Sequence, residues 1–196
     1  MKKNFIKPIK KTLILLKYFW VLCIGLQFAF PAAAIAGSDS ASEFFAVLNG
    51  ENAVPSQDTP ATGKAVFRFD EAKKLFNYKL TVNKIEHVVS ANLHLGTPGK
   101  GGPMVATLAG PFPPGKGQRE GVLAEGTLSV FNLVGPMLAE QTGEDDERLL
   151  AELLGKMRKG KTYINIVTDP GWDPNQNKPG RFPKNEIRGQ IEPVDK

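Results

Sequence analysis

Apolar and polar residues alternate with a period of two along much of this chain, a pattern that predicts strands with one buried face. In "PATGKAVFRFD", residues 60–70, Ala65, Phe67 and Phe69 share one side, and Lys64, Val66 and Arg68 the other. In "LFNYKLTVN", residues 75–83, Phe76, Tyr78, Leu80 and Val82 oppose Asn77, Lys79, Thr81 and Asn83. The turn-forming residues Asp70 to Lys74 lie between, so the two runs predict an antiparallel pair with one wetted face. "EFFAVLNG" (43–50), "HVVSANLHL" (87–95), "PMVATL" (103–108), "GVLAEGTLSVFNL" (121–133), "TYINIVT" (162–168) and "NEIRGQIEP" (185–193) are further short strand candidates, punctuated by Gly, Pro or Asn. Many short strands with such turns predict an all-β class, either a sandwich or a barrel.

One stretch has a different period. In "GEDDERLLAELLGKMRKG", residues 143–160, Leu149, Leu150, Leu153, Leu154 and Met157 fall three and four apart. That is one apolar stripe on a helix spanning about residues 144–159. Glu144, Asp145 and Asp146 open it, and Lys156, Arg158 and Lys159 close it, as the helix dipole favours. Gly160 is positioned to cap its end. The stripe predicts a helix packed on the sheets.

Charge changes the picture only when it is located. The 196 residues carry 25 Lys plus Arg against 20 Asp plus Glu, and the sequence pI is about 9.3. Six of those lysines lie in residues 1–36, which hold no acid. These residues form a basic stretch, Met1 to Lys17, then an apolar run from Tyr18 to Phe30 broken by Gln27, then "PAAAIAG" with Ala34 and Ala36. That order is expected of a signal peptide cleaved after Ala36. The chain would then be exported to the periplasm, the cell surface or the medium. It would touch a membrane only if the segment stayed uncleaved as an anchor. Residues 37–42 read as a linker and 43–193 as one domain.

Without residues 1–36, 19 basic residues face 20 acids, a net charge of about −1. The basic balance belongs to the leader, which leaves no case for a nucleic-acid partner. The lone Cys23 lies in the apolar run. The exported part therefore has no disulfide and must hold together through its core.

The candidate chemistry is thin. "GTPGKGG" lacks the first glycine and the Ser or Thr of a phosphate-binding loop, and a strand rather than a helix follows it. The acids Glu43, Glu51, Asp58, Glu86, Glu120, Glu125 and Glu186 fall near strand ends or loops, with no pair marked by spacing. No strained Gly-x-Ser-x-Gly elbow is present. The expectation is a non-enzymatic protein with no cofactor. Among polar residues, Asn92 and His94 share one side of a strand by alternation, and Asn165 lies on the strand that Thr168 ends. Arg188 is positioned to fasten the last strand through a carboxylate or carbonyls. Trp172, in the loop 169–184, either contacts a sugar or protein or pins the loop to the domain. The chain has two histidines, too few for an imidazole-rich metal site.

Several stretches in order resemble the CHRD domain family. Leu48, Asn49, Gly50, Glu51, Val54, Pro55, Thr59 and Gly63 fit its opening pattern. "LFNYKLTVNKI", "SANLHLGTPGKGGPMVATL", "LLGKMRKGKTYINIVTD" and "NEIRGQI" are similar to its later segments. The resemblance runs from Phe44 to Ile191. It implies an immunoglobulin-like antiparallel β-sandwich with Greek-key-like connections. The family's paired-histidine segment has Asn92 in its first position here, and Val167 replaces a further histidine, so His94 alone remains of three imidazoles. The segment 169–184 is longer than the family pattern.

Two functions follow as expectations. The first is a binding module for a protein or glycan outside the cytoplasm, with His94, Asn92, Asn165, Thr168, Trp172 and Arg188 as candidate contacts. The alternative is a copper or zinc protein centred on His94, with Asn92, Asn165 and Thr168 as lesser partners.

Overall fold

The structure, a computed structural model, describes residues 42–139, 146–171 and 182–194. The strands are β1 (Glu43–Asn49), β2 (Thr62–Asp70), β3 (Leu75–Glu86), β4 (Val88–Leu95), β5 (Met104–Ala109), β6 (Gln118–Leu128), β7 (Thr162–Thr168), β8 (Phe182–Gln190) and β9 (Glu192–Pro193). A 3₁₀ turn covers Val130–Asn132. Two helices follow it, the short α1 (Pro136–Ala139) and α2 (Asp146–Arg158).

The predicted pair forms as expected. β2 and β3 are antiparallel, with Phe67 opposite Tyr78 and Phe69 opposite Phe76. Asp70 holds the turn, its Oδ1 accepting the N–H groups of Ala72 and Lys73 at 3.0 Å each. Gly63, Ala65, Phe67 and Phe69 are buried while their neighbours are exposed, so the period of two is the burial pattern itself. Phe76 packs on Phe69 at 4.8 Å and on Phe44 of β1 at 6.5 Å between ring centroids.

The strands join in one sheet, in the order β5-β4-β7-β8-β1-β2-β3-β6, with β9 beside β1. Its two ends approach each other: Tyr78 of β3 donates its hydroxyl to the Leu108 carbonyl of β5 at 2.7 Å. The sheet is thus rolled into a nearly closed, barrel-like form. The all-β class and the single amphipathic helix stand as expected. Where two stacked sheets of an immunoglobulin-like sandwich were expected, the hydrogen bonds trace one continuous path. Its physical link is β1, which pairs with β2 on one side and with β8 and β9 on the other.

Helix α2 buries its whole stripe: Leu149, Leu150, Leu153, Leu154 and Met157 all belong to the core. Its end is closed as Gly160 allows. Gly160 adopts a positive φ of 58° and donates to Met157 O at 3.0 Å, and Lys161 donates to Lys156 O at 2.9 Å. That pair of hydrogen bonds is a Schellman cap. Glu144, Asp145 and residues 1–36 lie outside the described residues. Among the described residues no helix is long and apolar enough to cross a membrane.

Candidate functional site

Strands β4, β7 and β8 carry two rows of side chains on the face away from the core. One row is Asn92, Asn165 and Arg188; the next is His94, Tyr163 and Gln190. Leu93, Ile164, Ile166 and Ile187, which alternate with them, fill the core. Three members form a layered stack. The His94 ring lies on the Tyr163 ring at 5.0 Å and 14°, and the Arg188 guanidinium lies 3.5 Å from the Tyr163 centroid.

The glycine-rich segment after β4 is clasped over this stack. Arg188 Nη2 donates to the Thr97 and Lys100 carbonyls at 3.0 and 2.9 Å. The Tyr163 hydroxyl accepts from Gly102 N at 2.9 Å, and His94 Nδ1 lies 3.0 Å from Gly102 O. Gln190 Nε2 is 2.9 Å from Gly96 O. The glycines make this approach possible. A Cβ on Gly102 would collide with the Leu95 carbonyl, and one on Gly96 would come within 2.8 Å of the Tyr163 ring. "GTPGKGG" is therefore a fastened loop. Its wall and the exposed side of β1 border a groove of about 280 Å³, lined by Phe45, Val47, Asn52, Pro98, Arg188 and Glu192, among others.

The electrostatics follow from this packing. Burial favours the neutral imidazole and pushes His94 below its ordinary pKa; the nearby Arg188 cation acts in the same direction, and the Gly102 carbonyl opposes both. The short contact to a carbonyl requires the proton on Nδ1. Among the described residues, no group of three or more His, Cys, Asp or Glu is placed to hold a metal ion. The partners expected for a His94-centred copper or zinc site are elsewhere. Asn92 donates to Ser90 Oγ at 3.0 Å, and Asn165 lies in the other row. Thr168 pairs with Val88, at the far end of β4 from His94. A guanidinium beside the stack also disfavours a second cation.

Arg188 fastens carbonyls, as expected, but those of the loop Gly96–Gly102. Trp172 lies outside the described residues, as does 172–181, most of the loop it belongs to.

A second polar locus stands two residues along β8. Glu186, buried, accepts from Thr59 Oγ1 at 2.6 Å. Among the described residues its other oxygen, Oε2, and Thr168 Oγ1 have no hydrogen-bond partner. Burial raises the Glu186 pKa and the Glu86 carboxylate raises it further, while the bond from Thr59, the nearby Thr168 hydroxyl and His87 pull the other way. Asp58, Thr59, Lys84, Glu86, Phe182 and Glu186 line a cleft of about 290 Å³ there. This arrangement can hold a proton on a carboxyl group. Spacing marks no pair among Asp58, Glu86 and Glu186, because the cleft gathers them from three separate segments. Sequence reasoning also missed Tyr163 and Gln190, although alternation from Asn165 and Arg188 places both on the same face.

A comparison with curated proteins gives no match, and neither does one with solved structures. The model of one family, described as the CHRD domain, matches residues 44–191. That span begins in β1 and ends just after β8, and it includes the stack, the clasped loop and the Glu186 cleft. This chain belongs to the CHRD domain family.

Proposed function

We propose that this CHRD domain protein is an exported, non-enzymatic binding module whose ligand, a protein or a glycan, seats in the groove beside the loop Gly96–Gly102. One observation carries the reading: five side-chain contacts from Arg188, Tyr163, His94 and Gln190 fix that loop as one wall of a groove whose other wall exposes Phe45 and Val47. These two are 39% and 48% exposed, large for apolar side chains on a sheet face. A wall fixed in advance costs little to order on binding. The polar residues of the stack hold the backbone, which supports binding over catalysis. Export rests on the leader-like residues 1–36. Within this reading the rolled sheet is a strongly curved variant of the immunoglobulin-like arrangement.

The test joins localisation to binding. The protein recovered from periplasm or medium is expected to begin at Gly37. It is then screened on glycan arrays and used to capture envelope proteins, beside Phe45→Ala. A ligand retained by the parent and lost by the variant supports the groove. A ligand held equally by both removes the groove from the function.

A further inference from the structure

We infer that the groove takes an acidic sugar, with the carboxylate of a uronate unit opposite Arg188. This rests on the groove-binding reading above and names its ligand class.

Arg188 is 2% exposed, and among the described residues no carboxylate pairs with it. Among the described residues its partners are two carbonyls, both met by Nη2, and the Tyr163 ring beneath the guanidinium plane. A guanidinium has five N–H donors, and among the described residues the hydrogen bonds of Arg188 all leave from Nη2. Glu192 lines the same groove and makes no ion pair with Arg188. A buried cation that borders a groove and has no carboxylate partner among the described residues is a place where a carboxylate gains a charge-assisted, bidentate bond.

The rest of the lining selects the body that carries the carboxylate. A peptide chain would also bring one. A peptide laid along a sheet needs a free strand edge for its backbone groups. The strand beside the groove, β1, offers no continuous one: β2 pairs along one edge, while on the other β8 pairs at Asn49, β9 pairs at Phe44 and Phe45, and Gly189 of β8 lies against the Val47 carbonyl between them. A pyranose needs no edge. Its C–H face can lie on the exposed ring of Phe45, and its hydroxyls can donate to Glu192 and bond to the amide of Asn52, both in the lining. The volume of about 280 Å³ suits one or two sugar units at a time.

The test is calorimetric titration of the whole chain with tetramers of galacturonate and of glucuronate. Their carboxyl-reduced counterparts and a short peptide with a free C-terminus are the other arms. At least one uronate is expected to bind, at least tenfold more tightly than its reduced form, and to weaken as salt rises. Phe45→Ala should weaken it at least tenfold, whereas Val66→Ala, exposed on β2 outside the groove, should not. Arg188→Lys should weaken it too. Because that variant can disturb the loop, the salt dependence of the parent protein is the independent readout of the charge. Equal affinity for the reduced sugars, or no uronate binding, overturns the inference. If the peptide or a neutral sugar binds instead and Phe45→Ala abolishes it, the acidic-sugar inference fails while the groove reading stands. If a uronate binds and Phe45→Ala has no effect, the groove itself is wrong.

Discussion

Glu186 and Arg188 stand two residues apart on the same face of β8, with opposite charges, yet no ion pair joins them. Arg188 turns toward the loop Gly96–Gly102, where carbonyls and an aromatic ring receive its cation. Glu186 turns toward Thr59 and the Glu86 carboxylate, where one of its oxygens has no partner among the described residues. The same strand thus has one pole that clasps backbone and one with an oxygen left without a partner among the described residues. A buried donor that bonds two carbonyls of one loop fixes that backbone in place. A buried acceptor that is half-matched stores cost and responds to protonation. The first pole builds a surface; the second is a point where pH acts on the fold.

The largest break in that comparison is steric. Gly102→Ala pushes a Cβ into the Leu95 carbonyl, so the loop must lift from the stack. A loss of about 3 kcal/mol in urea unfolding is expected. Stability near that of the parent protein would mean that the loop is held less tightly than its hydrogen bonds imply.

Arg188→Met comes next. It keeps much of the side chain's length and removes the donors to Thr97 and Lys100, leaving those carbonyls to water or to nothing. It should cost about 2 kcal/mol. Faster amide exchange confined to residues 96–102 is its signature.

At the other pole the sign reverses. Glu186 has a raised folded pKa, so the folded state retains its proton to a higher pH than the unfolded chain, whose value is near 4.5. Its favourable contribution is full below 4.5 and is lost as pH rises through the folded value. Glu186→Gln never ionises and keeps an acceptor for Thr59. At pH 7 it should therefore stabilise the protein by about 1 kcal/mol and flatten the decline of stability with rising pH. Destabilisation at pH 7 would show that the charged carboxylate is well served after all.

The smallest effect is an acid limb at His94. Its folded pKa lies below the ordinary 6.5, so its contribution is present above that value and is lost as pH falls below it. His94→Phe keeps a ring on Tyr163 and removes the titration. Chemical denaturation between pH 7 and 5 should give a shallower loss for the variant than for the parent. Parallel curves would assign the acid limb to other groups.

Much of the sheet was legible in one dimension. The alternation in residues 62–83 marked both strands and their buried faces, because side chains on a strand alternate whatever lies beyond it. The stripe from Leu149 to Met157 marked the helix, and Gly160 its end, since capping is local. Within the candidate site, Asn92 and His94, and separately Asn165, could be placed on a face by counting. That His94 lies on Tyr163 could not, because register between β4 and β7 joins residues 69 positions apart. The same holds for Glu186 and Thr59, which are 127 positions apart. The expectation that Thr168 neighbours His94 failed for this reason: antiparallel pairing sends the end of β7 to the start of β4.

The amino-acid sequence by itself determined the strands, the helix, their buried faces and the family, because each rests on spacing within a few residues or on ordered short patterns. Only the tertiary structure decided that one rolled sheet brings Arg188 under the glycine loop and Glu186 into a cleft with Glu86. Those neighbours are set by strand order and register, and the free energy that fixes order and register comes from burying the whole core at once.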